Sequence, residues 1–148
     1  MKIGIPREVK VLEGRVALIP AAASELVRHG HSLFIESGAG LLSGYSDEAY
    51  RQAGVEVVAD AATLYGEAEM IIKVKEPLPE EYGLLKEGQI LYTFLHLAPA
   101  PELTQALLES KVIGIAYETI QLDDGSLPLL TPMSEIAGRM SIQVGAYY

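Results

Sequence analysis

The sequence predicts an α/β fold, an open, mostly parallel, doubly wound sheet with helices on both faces. Three observations predict it. Short apolar runs alternate with segments of helical spacing, the pattern of parallel strands joined by crossover helices. The 148 residues contain no cysteine, so a true core must hold the fold, and a chain of this length removes roughly 70% of its unfolded surface from water. No repeat, linker or low-complexity tract interrupts the alternation, so it belongs to one domain.

Each element has a local reason. KIGI at 2–5 is the first strand. A helix opens at Pro20, where proline suits a first turn, and closes at Gly30, which can turn left-handed. SLFIE at 32–36 is the second strand. Ser46, followed by Asp47 and Glu48, caps a second helix, and VEVV at 55–58 is a short third strand. Residues 61–67 read as helical. EMIIKVK at 69–75 is the most strand-like run, QILYTF at 89–94 the next and VIGIAY at 112–117 the last. PELTQALLESK, between the latter two, is an amphipathic helix. Asp123-Asp124-Gly125 marks a turn, with LPLL after it as a short strand. SEIAGRMSIQVGAYY reads as a helix capped by Ser134, and the sequence stops inside it. These elements describe a flavodoxin- or Rossmann-like sheet in residues 1–133, with 134–148 starting a helix that leads elsewhere.

Charge narrows the function classes. Lys and Arg total 11 against 20 Asp and Glu, a net charge of −9. Attraction to nucleic acid depends on clustered cations releasing counterions, so nucleic acid is not an expected partner. No apolar run has membrane-spanning length, and the N-terminus MKIGIPREVK is unlike a signal peptide, so no membrane partner and a cytoplasmic location are expected. The chain lacks asparagine, tryptophan and cysteine, a bias expected of a heat-adapted source.

In an open parallel sheet, ligands bind beyond the carboxyl ends of the strands. Four functional groups fall on that edge. The first strand ends before Arg15, the fourth ends at Lys75, the fifth runs into His96 and the sixth stops just before Glu118. Arginine can hold a carboxylate with paired hydrogen bonds, lysine adds a compact charge, and histidine exchanges protons near neutral pH. Two cations and an imidazole in an acidic protein suit a small carboxylate, and the proton carrier suits 2-oxo or 2-amino acid chemistry. Residue types alone do not specify hydride transfer. Lys73 shares a strand face with Lys75 by alternation, so one of the two suffices for function. His29 and His31 flank a helix-closing glycine and carry no expected chemistry. Gly38-Ala39-Gly40-Leu41-Leu42-Ser43-Gly44 imitates a dinucleotide loop, but serine stands where the fingerprint needs its third glycine, which leaves a tight turn.

IPREVKVLEGRVALIPAA, KVKEPLPEEY, LHLAPAPELTQALL, IAYETIQ and LPLLTPMSEIAGRMSIQVGA resemble, in wording and order, segments of the alanine dehydrogenases. The resemblance covers essentially the whole chain. It implies reversible, NAD-linked oxidative deamination of L-alanine to pyruvate and ammonium by two-domain subunits that form homo-oligomers, commonly hexamers. By resemblance, Arg15 and Lys75 hold the substrate carboxylate, His96 is the general acid/base, Glu118 supports the cationic pocket from behind, and Met133 and Ser134 border the nicotinamide end of NAD. The family's glycine-rich loop lies in a second, dinucleotide-binding domain, absent from these residues, so this chain alone is expected to be inactive. Domain I of nicotinamide nucleotide transhydrogenase is similar too, but Arg15, Lys75 and His96 together favour the dehydrogenase. A binding module that senses a small carboxylate without chemistry is the remaining alternative.

Overall fold

A computed structural model describes all 148 residues and contains the expected alternation. The strands are β1 (Lys2–Ile5), β2 (Ser32–Glu36), β3 (Glu56–Val58), β4 (Met70–Ile72), β5 (Ile90–Thr93) and β6 (Ile113–Ala116). The helices are α1 (Pro20–Arg28), α2 (Asp47–Gln52), α3 (Ala61–Glu67), α4 (Pro79–Tyr82), α5 (Pro101–Ser110) and α6 (Thr131–Tyr147). All strand pairs are parallel, in the order β3-β2-β1-β4-β5-β6. That is the Rossmann order, in which the winding reverses between β1 and β4 and opens a crevice at their carboxyl ends.

Strand alternation distributes the core over two faces. Ile3, Ile5, Leu33 and Ile35 gather with Ala23 of α1 and Tyr50 of α2. Phe34, Ile71 and Leu91 gather on the other face with Leu64 of α3 and with Leu103 and Leu107 of α5. The helices are punctuated as their residues suggest. Ala49 N–H donates to Ser46 Oγ at 3.3 Å, and Thr63 N–H donates to Asp60 Oδ1 at 2.8 Å. Gly30, at φ 85°, closes α1, with the His31 N–H returning to the Leu26 carbonyl at 3.1 Å.

Four expectations are corrected. LPLL forms no strand; residues 127–130 are turns running into α6. α6 begins at Thr131 rather than behind a Ser134 cap, because Pro132 sits in the first turn, where its missing N–H is not needed. Ser134 lies within that turn, its N–H donating to Leu130 O at 3.1 Å. β4 ends at Ile72, short of the 69–75 run, although the Lys73 N–H still donates to Tyr92 O at 3.1 Å. The short α4, started by Pro79, was not expected.

One side of the sheet edge stays open. Ile113 and Ile115 pair with Ile90 and Tyr92 and face the α1 and α2 side, yet they remain 52% and 37% exposed. α6 buries no residue at all. No helix is long and apolar enough to cross a membrane.

The crossing of α3 over β1 depends on Gly4, where an added Cβ would stand 2.7 Å from Leu64 Cδ2 and 2.9 Å from Ala68 Cβ. Gly4→Ala is therefore expected to destabilise the fold by about 1–3 kcal/mol, read as a lower urea midpoint; an unchanged midpoint would show that α3 shifts freely.

Candidate functional site

The loops following β1, β4, β5 and β6 converge at the carboxyl edge, beside the crevice. They enclose a cavity of about 380 Å³ whose walls include Lys10, Arg15, Lys75, Phe94, His96 and Glu118, with Leu130 and Met133 contributed by α6 and the residue before it. Five of the six residues singled out by sequence thus share one cavity. Ser134 does not. It lies in a separate shallow depression with Gly125 and Leu127, because the helix starts earlier than expected and turns this side chain away.

Arg15 sits in the long loop after β1 and is gripped by Glu13. Its Nε donates to Glu13 Oε1 at 2.8 Å and its Nη2 to Oε2 at 2.6 Å. The side-on edge of the guanidinium is thus taken, and Nη1 lies 3.4 Å from Met133 Sδ. The outer edge, formed by Nη1 and the second Nη2 hydrogen, remains for an anion. The hydrogen bonds from Arg15 hold the Glu13 carboxyl down at about 2, and the Arg15 guanidinium is raised in return.

Lys75 follows β4 by three residues and is half-buried. Its backbone is fixed on both sides: its N–H donates to Glu8 Oε2 at 3.3 Å, and its carbonyl accepts from Thr93 Oγ1 at 2.9 Å. His96 has the left-handed φ of 49°, a conformation that a side chain larger than glycine rarely adopts. Glu118 compensates by accepting from the His96 N–H at 2.6 Å and the Leu95 N–H at 3.3 Å. Glu118, itself in the cavity wall, therefore acts on the backbone that presents His96.

Two features escaped the sequence reading. Beneath the cavity, Lys73 is fully buried, its Nζ 2.7 Å from Glu81 Oε1 and 3.5 Å from Glu8 Oε2, while Tyr65 OH donates to the same Glu81 oxygen at 3.0 Å. A lysine inside the most apolar run was the available signal, since a fully buried charge must be paired. The second is a neighbouring cavity of about 470 Å³ that shares Arg15, Phe94 and Met133 with the first and is lined further by Val74, Tyr92 and Tyr117. Its walls come from loops far apart in sequence. Over the mouth of the first cavity, Lys10 is paired with Glu76. The Gly38 to Gly44 segment is a tight turn, as expected. Its Gly38 N–H is already donated to Asp47 Oδ1 at 2.8 Å, and Ser43 Oγ donates to Gly14 O and accepts from Val16 N–H.

The structure is thus a Rossmann-ordered α/β domain whose strand-end loops gather Arg15, Lys75 and His96 in one cleft. Residues 4–137 match the family described as "Alanine dehydrogenase/PNT, N-terminal domain", and the chain belongs to that family. It is 62% identical over its whole length to an alanine dehydrogenase of Methanococcus maripaludis and 56% identical to one of Staphylococcus haemolyticus, covering 40% and 39% of those proteins. A solved L-alanine dehydrogenase superimposes with TM-score 0.93 at 52% identity over 99% of this chain and 40% of its own. A transhydrogenase from Sinorhizobium meliloti superimposes with TM-score 0.75 at 27% identity, over 80% of this chain and 34% of its own. The chain thus spans about 40% of the length of the dehydrogenases it matches.

The Glu13–Arg15 pair has a pH signature. A carboxyl lowered from 4.5 to about 2 contributes stability that is full above pH 4.5 and disappears as pH falls toward 2. The stability gap between the parent and Glu13→Gln should accordingly shrink between pH 5 and pH 2 in urea titrations. A gap independent of pH would mean that Arg15 and Glu13 are not coupled.

Proposed function

We propose that this chain is the substrate-binding half of an NAD-dependent alanine dehydrogenase, interconverting L-alanine, water and NAD+ with pyruvate, ammonium, NADH and a proton. The convergence of Arg15, Lys75 and His96 on one cavity supports this reading above all. The outer edge of Arg15 and the Lys75 ammonium hold the substrate carboxylate, and Lys75 also orients the pyruvate carbonyl. His96 takes or returns the proton at the substituent of the carbonyl or imino carbon. Glu118 holds the His96 backbone in register. About 380 Å³ is ample for a three-carbon acid, with space left for a second reactant.

NAD, when bound, supplies the hydride acceptor. The glycine-rich turn at 38–44 does not fit its pyrophosphate, since it lacks the third glycine of the fingerprint and its Gly38 N–H is held by Asp47. Met133 at the cavity rim and Ser134, the next residue in the first turn of α6, are the residues of this chain that border the nicotinamide. A dinucleotide-binding domain in the remaining length of the protein completes the site and covers the exposed Ile113 and Ile115 face. A homo-hexamer in the cytoplasm is the assembly that the family resemblance favours. The transhydrogenase reading is second, because its structural relative matches less closely and over less of the chain.

In the intact protein, His96→Ala is expected to slow pyruvate amination roughly 100- to 10,000-fold with an unchanged circular dichroism spectrum; parental turnover would remove His96 from the chemistry. Arg15→Lys keeps the charge and loses the fork, so the pyruvate KM is expected to rise about tenfold while the NADH KM stays within twofold. An unaltered pyruvate KM would reject the clamp.

A further inference from the structure

Lys75 stands where the chain has left the β4 ladder, so the amides of residues 74 and 75 have lost their sheet partners and need others. A single carboxylate takes both. Val74 N–H donates to Glu8 Oε1 at 2.6 Å and Lys75 N–H to Glu8 Oε2 at 3.3 Å. Glu8 comes from the loop after β1, across the point where the sheet reverses, and its side chain is only 3% exposed. It cannot swing away, because the same Oε2 faces Lys73 Nζ, which Glu81 holds in turn. Glu81 is itself pinned by Tyr65 OH and by the Leu78 N–H at 2.9 Å.

We propose that Glu8 is a positioning residue for Lys75, a buried carboxylate that fixes the backbone from which the substrate-binding ammonium projects. The proposal rests on the substrate role given to Lys75 above. Burying a carboxylate is costly, and an apolar side chain of similar size is often at least as stable in such a place. Here burial raises the Glu8 carboxyl above its ordinary value although Lys73 and the two amides pull it back. An anion kept against that cost has a geometric use: it sets the height and direction of residues 74 and 75, with Thr93 Oγ1 closing the peptide from the opposite side at 2.9 Å. Glu118 does the same for residues 95 and 96. The carboxylates of the first and last of four adjacent strand-end loops therefore brace the two middle ones.

The test uses the intact protein with pyruvate, ammonium and NADH. Glu8→Gln keeps the side chain's size and one acceptor oxygen for Val74 N–H, but sets an NH2 group against the Lys75 N–H and the Lys73 ammonium. Its pyruvate KM is expected to rise about tenfold or more, its NADH KM to stay within twofold, and hydrogen exchange at the Lys75 amide to accelerate. Tyr65→Phe, which cuts the same buried network on the side away from Lys75, should lower Tm and leave the pyruvate KM in place. A parental pyruvate KM in Glu8→Gln, or an equal rise in Tyr65→Phe, overturns the positioning role alone. Absence of pyruvate turnover in the unmutated protein overturns the role of Lys75 and this inference with it.

Discussion

Backbone amides that leave a parallel sheet must find acceptors, and in this domain the acceptors are carboxylates of neighbouring loops. The last bonds between the β4 and β5 segments run from Lys73 N–H to Tyr92 O and from Phe94 N–H to Val74 O, and beyond them the chain turns to the rim of the cleft. The part-buried amides of residues 74, 75 and 95 would otherwise lack partners, at a cost of about 1–3 kcal/mol each. Glu8 and Glu118 meet that need with negative charge. The cavity is in this sense a consequence of satisfied backbone groups. Its cationic residues project from segments whose positions are decided by the anions behind them.

The same economy explains the charge distribution. The protein carries a large excess of acid, yet Arg15, Lys75 and Lys10 collect on one edge. Each of these cations has a nearby carboxylate arrangement that orients it or its backbone: Glu13 grips the side-on edge of Arg15, Glu8 holds the Lys75 amide, and Glu76 pairs with Lys10. The acids hold the cations in place without neutralising every donor. Lys73 is different in kind, since it is fully enclosed and serves the foundation of the cleft.

Much of this was legible in the sequence. The strands were readable because each apolar run is bounded by a turn, a cap or a proline, and the candidate edge followed from the rule that sites lie beyond strand carboxyl ends. Arg15, Lys75, His96 and Glu118 could be named for that reason. What stayed hidden depended on distance along the chain. Glu8 meets residues 74 and 75, and Tyr65 meets Glu81, through packing that no local pattern records. Ser134 looked like a cap, but Pro132 moved the helix start upstream. The LPLL run had the composition of a strand, but the Leu127 carbonyl accepts from the Leu130 and Thr131 N–H groups and turns it into α6. Lys73 and Lys75 looked equivalent by alternation, and what distinguishes them is the buried pairing of Lys73 with Glu81 and Glu8, while Lys75 lines the cavity.

The account stands or falls on where a small acid lies when the intact protein binds it. A crystal structure with pyruvate bound should show a carboxylate oxygen about 2.7–3.0 Å from the outer edge of Arg15 and from Lys75 Nζ, with the carbonyl directed at His96 and the Glu8 and Glu118 contacts unbroken. Pyruvate held elsewhere, or held by Arg15 and Lys75 only after those carboxylates have let go, would contradict it.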